Sequence, residues 1–226
     1  MQVFWKRFFL VASLVPCLVK SADSTHGIDC FIADTARIEQ STIGDGCSVD
    51  HYSVIRNCKI GNDVIIHPHC VLTNVIIMDG AEIGPFAHLH DGSTVGKKSV
   101  VGNFVEATRS EIGDGSKAKH LTYLGDAELG KNVNVGAGTI TCNYDGMNKN
   151  KTVIKDSAKI GSNSSLVAPI TIGENAVTAA GSTLTQNVPA NALALGRSLQ
   201  TNKEGYAPQL LQKNLARKKA LEEQKP

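Results

Sequence analysis

Large aromatic side chains are scarce: Phe, Tyr and Trp together make up 5% of the chain. A globular core normally relies on some of them, whereas a fold that stacks small and β-branched residues in thin layers does not. Neither sign of charge dominates. The formal net charge is +2, with no long basic or acidic block before the C-terminus, so nothing in the balance asks for nucleic acid as a partner. Paired cysteines are missing too. Cys17, Cys30, Cys47, Cys58, Cys70 and Cys142 contain no CxxC pair, and no Cys/His cluster has zinc spacing. They read as free, mostly buried thiols in a reducing compartment rather than as a disulfide framework. The seven histidines show no ligand spacing either, and His67 and His69 in Ile66-His-Pro-His read as a chain corner. No metal is expected.

A long uninterrupted apolar run is also lacking. Phe8 to Val19 is short, broken by Pro16, and preceded by Lys6 and Arg7. Ala22-Asp23-Ser24 passes as a small-x-small cleavage site. Residues 1–24 therefore read either as a signal peptide or anchor, or as a packing helix at the start of a soluble chain. Removal at Ser24 would leave an odd number of cysteines, which disfavours export. A cytoplasmic location is expected, with export or tethering as the alternative and residues 1–24 as the sole membrane contact.

What is present is a repeat. An aliphatic residue followed by Gly recurs at Ile43-Gly44, Ile60-Gly61, Ile83-Gly84, Val95-Gly96, Val101-Gly102, Ile112-Gly113, Leu124-Gly125, Leu129-Gly130, Val135-Gly136, Ile160-Gly161 and Ile172-Gly173. Most gaps are near multiples of six, and a grid of about seventeen runs through Ile43, Ile60, Val95, Ile112 and Leu129; such periods mean a solenoid. Each six-residue unit is a short strand plus a turn. The aliphatic residue points inward, and Gly, Asn or Asp takes the tight corner. Three units close one triangular coil of roughly eighteen residues, which is stable only when stacked on its neighbours. A sandwich of long alternating strands does not fit that grid. The fold class is all-β, a single-stranded parallel β-helix over 27–188.

The grid breaks at 141–152, a polar stretch with Asp145-Gly146 as a turn and Lys149 and Lys151 near its end. This reads as an extrusion loop, and loops on rigid scaffolds are where function tends to sit. After Pro189 the repeat stops. Within the extension 189–226, Gln209 to Gln224 has helix-forming composition with Leu210, Leu211 and Leu215 on one face. A C-terminal α-helix is expected, packing on the prism or on a neighbour, with Arg217-Lys218-Lys219 as a solvated face.

Three blocks carry a more specific resemblance: Val101-Gly-Asn-Phe-Val-Glu106, His120-Leu-Thr-Tyr-Leu-Gly-Asp-Ala127 and Asn134-Val-Gly-Ala-Gly-Thr-Ile-Thr-Cys-Asn-Tyr-Asp-Gly146, with Gln200-Thr-Asn-Lys-Glu-Gly205 near the end. From about Val101 to Tyr206 the chain resembles the C-terminal acetyltransferase domain of the bacterial bifunctional N-acetylglucosamine-1-phosphate uridyltransferase/glucosamine-1-phosphate acetyltransferases. Gly27 to Gly84 resembles only generic repeat coils. The resemblance implies the left-handed form of the helix, a homotrimer, acetyl-CoA as cosubstrate and an amino sugar phosphate as acceptor. The Gly-rich nucleotide loop that opens the family's uridyltransferase half is not found, so uridyl transfer is not expected.

Acetyl transfer to an amine needs a base, donors for the developing oxyanion and a groove for CoA. The resemblance makes His120 the base, a role that suits a side chain titrating near neutrality. Asn143 matches the residue that polarises the reacting groups. Tyr123 and Asn134 match sugar contacts, and Lys149 matches a cation reaching the ligand. Tyr144, Ala137, Ser162, Ala180 and Arg197 match the acetyl-CoA groove: small residues where the pantetheine arm lies, a hydroxyl for a pantetheine amide, and a guanidinium for a CoA phosphate. One half of the site departs from the family pattern. Where the family has Leu-Arg-Pro-Gly and a Lys after Phe-Val-Glu, this chain has Leu89-His90-Asp91-Gly92 and Thr108. Two phosphate-holding cations are replaced, each charge-assisted bond being worth about 1.5–3 kcal/mol. Arg109 is not expected to substitute, because adjacent strand residues face opposite sides. The expected activity is glucosamine-1-phosphate N-acetylation for UDP-N-acetylglucosamine synthesis. An acyltransferase on a different amino sugar, or an inactive β-helix scaffold, are the alternatives.

Overall fold

The computed structural model describes residues 23–224; residues 1–22, with the apolar run and Cys17, lie outside them. The chain divides into two compact units, one ending at Gly196 and one beginning at Arg197. The first is a left-handed parallel β-helix whose strands run from Thr25–His26 to Leu193–Ala194. One face is a nine-stranded parallel sheet from Thr25–His26 to Ile170–Ile172. The other two faces merge into a seventeen-stranded sheet, because the strands Val100–Thr108 and Lys117–Gly125 round a corner without interruption.

The ladder extends past Pro189, where the repeat is expected to stop: Leu193–Ala194 pairs with Val177–Thr178. Parallel pairing asks only for backbone N–H and C=O, and the last coil has no successor pressing on its corners. Corner glycines are needed where a successor does press. A Cβ on Gly102 would drive into the Lys119 carbonyl of the next coil.

Every aliphatic residue of the repeat grid is buried, from Ile43 to Ile172. The corners are held by side chains as well as by backbone. The Asp45 Oδ1 accepts from the Ile28 N–H at 2.9 Å, Asn62 Oδ1 from Asp45 at 2.9 Å, and Asp79 Oδ1 from Asn62 at 3.0 Å. Many corner residues are left-handed. Asn57, Asn74, Asn132 and Asn163 sit at φ of 50–56°, a region that asparagine tolerates better than most.

The cysteines occupy the same niche as inward serines. Ser99 Oγ donates to the Gly113 carbonyl at 2.8 Å, and Cys47 Sγ donates to that of Gly61 at 3.1 Å. The described cysteines are all free; Cys47, Cys58 and Cys70 are buried, and burial pushes the Cys70 thiol up to about 11. These are packing thiols, as the spacing suggested.

A ridge of exposed rings climbs one corner. Tyr52, His69, Phe86 and Phe104 stack in order with centroids 5.1, 4.9 and 5.2 Å apart. All four hold a positive φ, as does Leu121 one coil further on.

The extrusion loop leaves after Ile140–Cys142 and returns at Thr152–Ile154. Across it the corner bond from Lys131 N–H to Asp156 spans 25 residues instead of the usual 17. Register resumes at once, with Ala127 opposite Thr152. In the second unit the helix spans Tyr206–Glu223, three residues earlier at its start than its composition indicated. Pro208 lies in its first turn, where the missing N–H costs nothing. None of its residues is buried, and Leu210, Leu211 and Leu215 are exposed. Among the described residues no helix is long and apolar enough to cross a membrane.

Leu72 has no exposed surface and lies in register between Ile55 and Leu89. Leu72→Ala is expected to cost about 2–5 kcal/mol of unfolding free energy, read as a lower urea midpoint at unchanged slope. A shift equivalent to less than about 1 kcal/mol would mean that the coils collapse onto the vacated space.

Candidate active site

His120 lies in the strand Lys117–Gly125 and is exposed just before the corner at Leu121. Its ladder partner one coil back is Asn103. The His120 Nδ1 and the Asn103 Oδ1 are 2.7 Å apart. An amide oxygen only accepts, so Nδ1 carries the proton and Nε2 is left with its lone pair. That is the tautomer a general base needs. Sequence reading did not single out Asn103, since nothing local ties it to a residue seventeen positions away.

The next coils continue the same column. Backbone bonds run from Gly138 N–H to the His120 carbonyl, from Asn163 N–H to that of Ala137, and from Gly181 N–H to that of Ser162. His120, Ala137, Ser162 and Ala180 therefore succeed one another along one edge of the prism, although the extrusion loop intervenes between Ala137 and Ser162. Ser162 and Ala180 are exposed. Asn134 lies one coil beyond Lys117 on the same face as His120, between Lys117 and Lys159 in the ladder. Arg197 is exposed and belongs to the second unit.

Beyond the corner a second group gathers. Tyr123 pairs in register with Glu106 and with Ile140. Its hydroxyl and the Asn143 amide both crowd over Gly125, in space that a Cβ would fill. Asn143 is buried, and its Nδ2 donates to Asp126 Oδ2 at 2.5 Å. Asp126 in turn holds Arg109 through two bonds, Nε to Oδ1 at 2.7 Å and Nη2 to Oδ2 at 3.0 Å. At the loop neck Tyr144 and Lys149 form an antiparallel bridge, and the Tyr144 hydroxyl donates to the Gly146 carbonyl at 2.5 Å.

The altered clamp positions lie beside this group. Arg109 sits in a corner at φ 49°, so strand alternation does not govern it. Its Nη1 reaches the Thr108 hydroxyl at 3.0 Å and approaches Asp91 Oδ2 at 3.5 Å. It faces the Thr108 side after all, yet its Nε and Nη2 are already engaged by Asp126 and its Nη1 by Thr108. His90 stands between Asp91 and Glu106, with Nδ1 3.0 Å from the first and Nε2 3.2 Å from the second. Hydrogen bonds from Arg109, then from Asn143, and the charge of Lys149 hold the Asp126 carboxyl below its ordinary 3.8. His90 lowers Asp91 in the same sense.

Residues 40–74 and 151–186 match the family model "Bacterial transferase hexapeptide (six repeats)". Over 187 residues the chain is 49% identical to the bifunctional protein GlmU of Shouchella clausii, covering 82% of this chain and 41% of that protein. It is 58% identical over 152 residues to GlmU of Thermosipho melanesiensis, covering 67% and 34%. The similarity is thus longer than the motif-bearing half, and the chain spans about two fifths of the length of the curated relatives it matches. The solved UDP-N-acetylglucosamine acyltransferase of Campylobacter jejuni is similar in fold, with 20% identity, a TM-score of 0.60 and 81% of each chain covered. That of Bacteroides fragilis aligns with a TM-score of 0.57 at 18% identity, over 78% of this chain and 68% of that one.

A carboxylate lowered in the native state stabilises the fold above its ordinary range, and that contribution is lost as pH falls through the lowered native value. Asp126→Asn is therefore expected to melt below wild type at pH 7. The gap should close as the pH is taken well below 3.8. A gap that persists undiminished in acid would place the effect in packing rather than in the ion pair.

Proposed function

On the premise that this chain is a hexapeptide-repeat relative of the GlmU acetyltransferase region, we propose that it transfers the acetyl group of acetyl-CoA to the amine of glucosamine-1-phosphate, yielding N-acetylglucosamine-1-phosphate for UDP-N-acetylglucosamine synthesis. The observation that carries this reading is the column His120–Ala137–Ser162–Ala180, headed by an imidazole whose Nδ1 is engaged by Asn103.

In this reading His120 Nε2 takes a proton from the acceptor ammonium. The freed amine attacks the thioester carbonyl. The nitrogen of the tetrahedral intermediate loses its surplus proton to solvent, and collapse expels the CoA thiolate, which takes the proton held by His120, leaving the neutral amide and the free thiol. The column supplies an edge of small side chains for the pantetheine arm, with the Ser162 hydroxyl available to one of its amides. Arg197 is assigned a CoA phosphate. Tyr123 and Asn134 are assigned to the sugar. Asn143, oriented by Asp126, polarises the reacting groups, and Tyr144 and Lys149 reach the ligands from the loop. Acetyl-CoA supply argues for a cytoplasmic site of action.

The occupied state of Arg109 favours a second reading, the same chemistry on an amino sugar held without that guanidinium. Thiol release from acetyl-CoA with glucosamine-1-phosphate against a panel of other amino sugars separates the two. With the true acceptor, His120→Ala is expected to lower kcat by about 10²–10⁴-fold, while CoA still raises the melting temperature. No thiol release with any acceptor, and no CoA-induced shift, would leave an inactive scaffold.

We also assign a homotrimer. The ridge Tyr52–His69–Phe86–Phe104 is an exposed apolar surface of the kind a neighbouring copy covers. Light scattering should give three chains per particle, and Phe104→Asp should shift the population toward monomer. A monomeric wild type would exclude the assignment.

A further inference from the structure

His88 and His90 flank the buried Leu89 in one short strand, so both imidazoles face outward on the same side. Glu106 stands opposite His88 in the next coil. One ligand atom from each of the three residues lies within 4.8 Å of the others. The two rings stack with centroids 4.3 Å apart. We propose that His88, His90 and Glu106 bind a divalent transition-metal ion of the zinc class.

The placement of His90 supports this. Its Nε2 is hydrogen-bonded to Glu106 Oε1 at 3.2 Å, and Asp91 Oδ2 lies 3.0 Å from Nδ1. A stacked second imidazole adds nothing to a His90–Glu106 hydrogen bond, whereas it completes a two-histidine, one-carboxylate ligand set. An ion taken up in place of the Nε2 proton leaves the ring's one N–H on Nδ1, facing Asp91. Metal–nitrogen and metal–oxygen bonds near 2.0–2.1 Å put tetrahedral ligands about 3.3 Å apart. His90 and Glu106 already stand at that spacing, and His88 has only to close on them.

Asp91 takes the role of the carboxylate that orients a metal-bound histidine through its far nitrogen. Arg109 is turned to Asp126 and Thr108 rather than to Glu106. The His90 side chain is 21% exposed and that of Glu106 46%, so an ion has a way in, and three protein ligands leave a position open. The sequence carried a signal that was passed over: His-x-His on an outward strand face, with an acid one coil later.

Glu106 is followed in the same ladder column by Tyr123. If the proposed acceptor lies against Tyr123, the ion supplies the positive charge that the His90 and Thr108 positions lack. That consequence rests on the acetyltransferase reading, whereas metal binding is measured without acetyl-CoA or acceptor, so either can fail alone.

The test is calorimetric titration of the chelator-treated full chain with Zn²⁺ alone, with Co²⁺ as a spectroscopic probe of coordination. One ion per chain is expected, with affinity reduced at least about tenfold in His88→Ala, in His90→Ala and in the near-isosteric Glu106→Gln, and by about tenfold in Asp91→Asn. Circular dichroism and melting of the apo forms establish that each variant is folded, and His88→Asn and His90→Asn replace any alanine variant that is not. No stoichiometric binding, or binding that survives unchanged in the folded His88 and His90 variants, overturns the proposal and leaves a His90–Glu106 hydrogen bond.

Discussion

The backbone ladder between successive coils is the constraint on which everything else rests. Gly44 donates to the Ile60 carbonyl at 2.9 Å, Gly61 to that of Ile77 at 2.8 Å, and Gly96 to that of Ile112 at 2.7 Å. Each coil thereby receives its hydrogen-bond partners from the next one. A single coil has neither a core nor a satisfied backbone, and both arrive together on stacking. Thin layers follow from this, and so does the small role of aromatics inside. Tyr52, His69, Phe86 and Phe104 climb the outside of a corner, where stacking on one another returns part of what their left-handed backbone costs.

The same ladder makes a functional surface out of residues far apart in sequence. Asn103 and His120 meet because they are one coil apart. His120 and Ser162 share an edge because the extrusion loop is taken up entirely outside the prism. Around the corner the ladder brings together carboxylates that an isolated strand would keep apart. Arg109, Asp126 and Asn143 close into one network, and His90 is drawn between Asp91 and Glu106. The charge balance of that face is therefore a product of topology as much as of composition.

Much of the architecture was legible in the order of residues. Aliphatic–glycine pairs on a fixed grid report the inward position and the adjoining corner directly, because one physical requirement recurs in every coil. The loop was legible as the one interruption of that grid. Column relations were legible only where a known motif supplied them, as for His120, Ala137, Ser162 and Ala180. Asn103, Glu106 and Asp126 were not picked out, since each acquires its role from a partner one coil away. The end of the ladder was not read either: Leu193–Ala194 pairs through backbone groups, and the one aliphatic–glycine pair beside it, Leu195-Gly196, stands off the grid after Pro189. The helix start was missed because Pro208 looks like a breaker unless its place in the first turn is known.

The column that begins at His120 behaves as a ruler. Its graduations are set by the strand-to-strand hydrogen bond, about 4.8 Å, so the three steps from His120 to Ala180 span about 14 Å. Repacking the interior leaves that length unchanged, because side-chain volume does not enter it. A solenoid of this kind can alter its reach along the edge only in whole divisions, by gaining or losing a coil, whereas an extruded segment can grow or shrink residue by residue without moving the scale. Over long divergence, reach along the edge should therefore be quantised, while what closes over it should vary continuously.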